Sequence, residues 1–444
     1  MDYKELTVQL VNRCLRQGAD AAEVYLQTGR NLSVRVRNTD IETIQEAASS
    51  GIGFRVIVDG KMGFSHSNDL SRSALDNTIS RAIAFARLTT PDDSNVLPSD
   101  PGFTDVEGLY DPEIARVSME TKIDMALALE DLAMKDPKIT HSSGASWGER
   151  ESEVFIANSN GLSKTYKSSM CSVSVGVVAQ KGDQRRTGGE SSSRRFFADL
   201  EPLEEIAESA AQKAWELLDP RMVPTQRTAV IFDTSVAASL LRGVIVAING
   251  ERVLQGASFL QDSMNQQFAT PLLTITDDGT VPKGSGSSPF DGEGVPTRKR
   301  VLVENGVLRG FLYNTQVAAR AGAESTGNAS RGGYTSLPGI GTHNLYLGTG
   351  DHSQEEIIAA TGRGLLLKGV TGYGINPVNG NFSGGATGFW IENGRIAYPV
   401  EGLTIAGSAS QILNGIDMMG NDIDMNRVFA SPTFRVAEMQ IGGA

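Results

Sequence analysis

The chain has 444 residues, with 40 Lys and Arg against 52 Asp and Glu and a net charge of −12. That balance excludes an ordinary nucleic-acid binder, which needs clustered cations to meet phosphates. A content of 40% hydrophobic and 21% charged residues is that of a globular protein long enough for two or three domains and a substantial core.

Residues 3–17 predict an amphipathic helix closed by Gly18, with Leu6, Leu10 and Cys14 on its apolar face. Short strands are expected at 22–28, 32–38, 42–48, 51–58 and 62–65, with Asp59-Gly60 as a hairpin turn. A second helix spans 71–88, and the Pro-, Asp- and Ser-rich stretch 89–112 reads as a loop. The pattern then recurs: helix 118–134, strands 139–147, 152–157 and 162–166 with Asn160-Gly161 between the last two, strands 170–180 and 185–191, and helix 203–218. Helix, antiparallel meander, helix, twice over, predicts an internally duplicated α+β domain over residues 1–220.

Asp219 to Pro224 marks a boundary, after which residues 225–444 predict a mainly antiparallel β domain with a buried helix. That domain opens with a strand at 229–232 and a polar corner, Asp233-Thr234-Ser235. Apolar residues at Ala237, Leu240, Leu241, Val244, Ile245 and Ile248 then trace a helical face, with Asn249-Gly250 as a left-handed stop. Arg242 is the helix's only charge. Asn305-Gly306 and Asn393-Gly394 predict hairpins, 354–360 a short helix, and 279–294 and 322–341 long loops of the kind that carry function.

Catalytic patterns are scarce. Cys14 and Cys171 are too few for a disulfide framework or a thiolate metal cluster and read as core thiols. His66, His141, His343 and His352 stand apart, with no partner at metalloprotease spacing. His343 follows a glycine-rich loop, where a hydrogen-bonded structural histidine competes with a ligand. Asp277-Asp278 suits a turn but leaves acid–base work open. The residues taken alone yield no catalytic set. Met1 to Glu5 is no signal peptide and no apolar run reaches spanning length, so the reading is a soluble, cytoplasmic protein with no membrane partner.

Several ordered motifs are similar to the PmbA/TldE branch of the TldD/PmbA proteins, peptidase family U62, also called modulators of DNA gyrase. They include residues 51–70, 290–297, Thr326-Gly327-Asn328, 372–383, 388–407 and Gly420-Asn421-Asp422. The resemblance implies a metalloprotease complex in which a TldD-type subunit holds zinc through His-Glu-x-x-x-His and a later Cys. Here the two His positions fall on Leu241 and Val246, the Glu position falls on Arg242, and 420–432 contains no Cys. The chain is therefore expected to bind no metal or cofactor, zinc belonging to its partner.

The same resemblance implies a non-catalytic subunit that pairs with a TldD-type chain, or with itself, and helps process extended, unfolded peptides. Tyr373, Gly374, Asn376, Gly384, Gly385 and His343 are the expected substrate groove, the glycines allowing close backbone approach. Two alternatives remain open. One is a regulatory protein for a gyrase-type or toxin target. The other is a stand-alone hydrolase built on Asp277, Asp278, Glu293 or His343.

Overall fold

The computed structural model describes residues 2–372 and 374–443. Helix α1 (Tyr3–Arg16), strands β1 (Ala21–Arg37), β2 (Asp40–Val58) and β3 (Lys61–Ser67), and helix α2 (Arg72–Leu88) form one unit. Helix α3 (Met119–Met134), strands β4 (Ile139–Asn158), β5 (Ser163–Lys181) and β6 (Gln184–Arg194), and helix α4 (Leu203–Trp215) repeat it. Side chains of Asp2, Ser71 and Ser118 accept first-turn N–H groups and start three of these helices. Antiparallel pairing of β1 with β4 joins the two meanders into one six-stranded sheet, ordered β3-β2-β1-β4-β5-β6.

The strands are longer than their sequence pattern predicts. Segments 22–28 and 32–38 are one strand, as are 42–48 and 51–58, 139–147 and 152–157, and 162–166 and 170–180. Small residues between them do not break the ladder: Gly29 pairs with Ser49 on one side and Ser152 on the other. A strand flanked on both sides has its backbone groups satisfied, so a glycine loses packing but no hydrogen bond. Residues 40–49 are exposed on both faces. Alternation fails there because neither face meets a core. The turns are read well from sequence: Asp59-Gly60 (φ 51° and 70°), Asn305-Gly306 (49° and 79°) and Asn393-Gly394 (52° and 73°) are left-handed at both positions.

The second half runs β7 (Gln226–Phe232), α5 (Thr234–Ala247), α6 (Gly250–Leu254), β8 (Ile275–Asp278), β9 (Lys299–Glu304), β10 (Val307–Leu308) and α7 (Thr315–Ala321). It continues through β11 (Ala329–Ser330), β12 (Gly339–Ile340), β13 (Asn344–Leu347), α8 (Gln354–Ala359), β14 (Arg363–Thr371), β15 (Asn381–Glu392) and β16 (Arg395–Ser408). The chain ends with α9 (Ala409–Asn414), β17 (Ile416–Met419), β18 (Phe429–Ala430) and β19 (Phe434–Gly442). One sheet is ordered β16-β15-β14-β7-β19-β17 and curls back on itself, because β16 also pairs with β19. A second is ordered β10-β9-β8-β13-β18. Pairing is antiparallel except for β7–β14 and β13–β18.

Helix α5 is buried as its pattern predicts: Val236, Ala237, Leu240, Leu241 and Val244 share one core with residues of both sheets. Its end differs. Asn249 is not left-handed (φ −65°, ψ 119°); its side chain accepts the N–H groups of Glu251 at 3.0 Å and Arg252 at 3.4 Å and starts α6. Gly250 is small for another reason, since a Cβ there would overlap the Tyr313 ring.

One face of the N-terminal sheet packs on its own helices through residues such as Val24 and Leu26. The other carries Tyr25, Val154 and Tyr166 and meets Phe290 and Tyr334 from the long C-terminal loops. The Tyr334 ring lies where a side chain at position 51 would stand, so only Gly51 permits the contact.

Candidate functional site

Asp233 caps α5, accepting the Ser235 N–H at 3.1 Å and pairing with Lys368 at 3.0 Å. Burial opposes its charge, but Lys368 and Ser235 outweigh that and hold the carboxyl below the usual range. The helix is regular from Thr234 to Ala247. Leu241 is fully buried, Arg242 is exposed and Val246 is half-buried. At 3.6 residues per turn, positions five apart diverge by roughly 140°, so Leu241 and Val246 do not face one point. Neither side chain has a donor atom, and among the described residues no three His, Cys, Asp or Glu side chains group around one centre. These residues do not fit zinc.

The loop after β14 packs across the same helix. A Cβ on Gly243 would overlap the Ile375 carbonyl oxygen, and one on Gly374 (φ 70°) would come within 2.7 Å of the Ser239 carbonyl. Asn376 folds this loop, its side chain accepting the N–H groups of Val378 at 2.9 Å and Asn379 at 3.4 Å. Tyr373 lies outside the described residues. Gly384 and Gly385 sit in β15, opposite Ile405 and Thr404 of β16. Space over them is filled: a Cβ on Gly384 would lie 2.6 Å from the Thr371 carbonyl, and one on Gly385 would overlap the Thr371 hydroxyl. Thus Gly374 and Asn376 gather at α5, while Gly384 and Gly385 hold two strands together.

His343 is elsewhere. It is 8% exposed, and its backbone N–H donates to Asp277 at 2.7 Å while Nδ1 lies 3.1 Å from the other Asp277 oxygen. Asn328 donates to that oxygen at 2.7 Å. No hydroxyl or thiol hydrogen-bonds His343 among the described residues, so the cluster lacks a paired nucleophile. Asp278 accepts the N–H and the hydroxyl of Thr280, at 2.8 and 2.6 Å, and caps a turn. Glu293 is fully buried against Arg55 at 2.8 Å.

That last pair belongs to a network the sequence does not announce. Arg55 on β2 also pairs with Glu23 on β1 at 2.6 Å, and Glu23 pairs with Arg331. All four side chains are buried between the two halves. Burial opposes the Glu293 charge, but Arg55 and the Thr315 N–H prevail and keep its carboxyl low. Beside it Asp291 is pushed up to about 7, first by burial and then by the Glu293 charge. Glu23 and Arg331 are 308 residues apart, a separation that no local spacing reveals.

Family models for PmbA/TldA metallopeptidases match three stretches: domain 1 at residues 22–86, the central domain at 112–218 and the C-terminal domain at 225–443. The chain is 32% identical to Metalloprotease PmbA of Escherichia coli O157:H7 over 432 residues, 96% of this chain and 93% of that one. The chain belongs to the PmbA/TldD family. Its relatives include TldE of Thermococcus kodakarensis, whose crystal structure it matches at TM-score 0.89 and 26% identity, covering 98% of this chain and 99% of that one. A Bacteroides thetaiotaomicron protein crystallised under the gyrase-modulator name matches at TM-score 0.91 and 29% identity over the whole of both chains. Family members in both of these naming traditions therefore share one fold with this chain. No helix among the described residues is long and apolar enough to cross a membrane.

Proposed function

We propose that this chain is the TldE-type, non-catalytic subunit of a two-subunit metallopeptidase. The observation that carries the reading is α5: an uninterrupted helix with Leu241, Arg242 and Val246, the positions that the resemblance sets against the family's zinc ligands and general base. Aliphatic side chains supply no electron pair, and an arginine repels a cation. A TldD-type chain supplies zinc and the base, and this chain binds it through the C-terminal half. Together they process extended, unfolded peptides in the cytoplasm, the peptide pairing with sheet edges. Relatives bearing both TldE and TldD names fit a paired arrangement.

Elemental analysis and a peptidase assay test the proposal, each on the chain alone and mixed with a TldD-type subunit. The expected outcome is no stoichiometric zinc and no cleavage alone, with cleavage in the mixture. Stoichiometric zinc with activity in the single chain would overturn it. The stand-alone hydrolase is the weaker reading because the Asp277–His343 pair has no hydrogen-bonded nucleophile.

A further inference from the structure

Where the C-terminal loops cross the outer face of the N-terminal sheet, they leave a cavity of about 330 Å³. That volume lies at the lower end of small-ligand sites, roughly 300–1,000 Å³. Its charge is opposite to that of the chain. Arg150, Arg195 and Arg331 contribute to the wall, and among the described residues no Asp or Glu does, in a protein of net charge −12.

Arg331 is neutralised by Glu23. Arg195 is not neutralised. It is 6% exposed, and its hydrogen bonds run to the carbonyl oxygens of Gly284 (2.8 Å), Leu109 (3.3 Å), Ser285 (3.1 Å) and Ser287 (2.8 Å). Four of its five N–H groups are thus held in place, and the charge meets no carboxylate among the described residues. A buried guanidinium without an anion is a costly arrangement. Arg150 reaches the same space from the solvent side, and it too has no acidic partner among the described residues.

Tyr25 on β1 and Tyr166 on β5 project into the cavity from the sheet. Tyr25 is only 7% exposed, yet neither phenol has a protein hydrogen-bond partner among the described residues, and the Ser288 hydroxyl has none either. These three hydroxyls open onto the cavity and are free to donate to an occupant. Burial raises both phenols above their ordinary range, so they remain donors at neutral pH. A second space of about 160 Å³ shares Tyr25, Tyr166, Ser288 and Arg331 with the first and ends at His343 and Asp291. It offers room for the body of a ligand.

We infer that this cavity binds a small ligand carrying an oxyanion, a carboxylate or a phosphate. Arg195 and Arg150 oppose its charge, and Tyr25, Tyr166 and Ser288 donate hydrogen bonds to it. Guanidinium–oxyanion contacts are among the strong hydrogen bonds, and Arg195 is held out of bulk water between the two halves while Arg150 stands at the solvent side.

Isothermal titration of the full chain with three probes tests the inference: acetyl-Ala-Ala-Ala as the free acid, the same peptide as its C-terminal amide, and inorganic phosphate. Saturable binding of the acid or of phosphate is expected, with the amide weaker than the acid by about tenfold or more. Arg150→Ala should weaken binding by a similar factor and Tyr166→Phe by less, with circular dichroism and urea midpoint unchanged in both variants. Preference for the acid assigns an organic carboxylate, and preference for phosphate assigns a phosphorylated small molecule. No binding of any probe at millimolar concentration would overturn the inference, as would binding that Arg150→Ala leaves intact.

Discussion

Gly243 shows how a single position decides between opposing effects. Alanine in a helix interior gains about 1 kcal/mol over glycine. At Gly243 its Cβ would overlap the Ile375 carbonyl oxygen, and forcing a packed loop to shift costs about 1–3 kcal/mol. Gly243→Ala should therefore lower the urea midpoint at unchanged slope, and a raised midpoint would mean the loop yields freely. Asp291 makes a prediction in pH. An unfolded aspartate titrates near 3.9, whereas folding holds this one up to about 7. Between those values the folded chain binds a proton that the unfolded chain has released. The stability from this group is present on the acid side and lost as pH rises through its folded value. The urea midpoint should fall between about pH 4 and about pH 7, and Asp291→Asn should flatten the profile.

At the scale of elements, α5 and the β1–β2 hairpin behave differently. The apolar spacing of α5 was legible because burial on most faces leaves one pattern only, and Asp233 marks its start. Its C-terminal signal misled: Asn-Gly is a turn where the backbone needs a positive φ, but an asparagine side chain can equally cap a following helix. The hairpin tip went unnoticed because Asn38 and Thr39, with φ 51° and 66°, include no glycine. A β-branched residue in that region is strained, at a cost of about 1–3 kcal/mol. Glu130 secures the tip from α3, accepting the N–H groups of Asn38 at 2.9 Å and Thr39 at 3.1 Å. Thr39→Gly keeps those bonds and relieves the strain, so it should stabilise by about 0.5–1 kcal/mol after the added freedom of the unfolded chain. A lower melting temperature would show that the threonine conformation is not strained.

Across the whole molecule, the two halves are locked by the buried group of Glu23, Arg55, Glu293 and Arg331. Removing Arg55 strands the Glu293 carboxylate in the interior, while Glu23 keeps Arg331. Arg55→Met should cost about 3–5 kcal/mol and split a single calorimetric transition into two as the halves unfold separately. One cooperative transition at the wild-type temperature would show that the network is not what couples them. The predicted groove divides along the same lines. Gly374 and Asn376 meet at α5 because one loop carries them. His343 reaches the cleft between the halves through β13, and nothing in its own neighbourhood told which. The long loops 279–294 and 322–341 both line that cleft, a meeting that their length and glycine content did not reveal.

By itself the sequence determined the repeated helix–meander–helix order, the buried α5 and the glycine turns. Each of these is written in residue type or in spacing over a few positions, where local sterics and periodic burial act. Only the tertiary structure decided how far the strands run, that two tandem repeats merge into one sheet, and that Arg195 and two phenols converge on one cavity. Those outcomes depend on groups far apart along the chain, and their energies exist only once burial has removed water from between them.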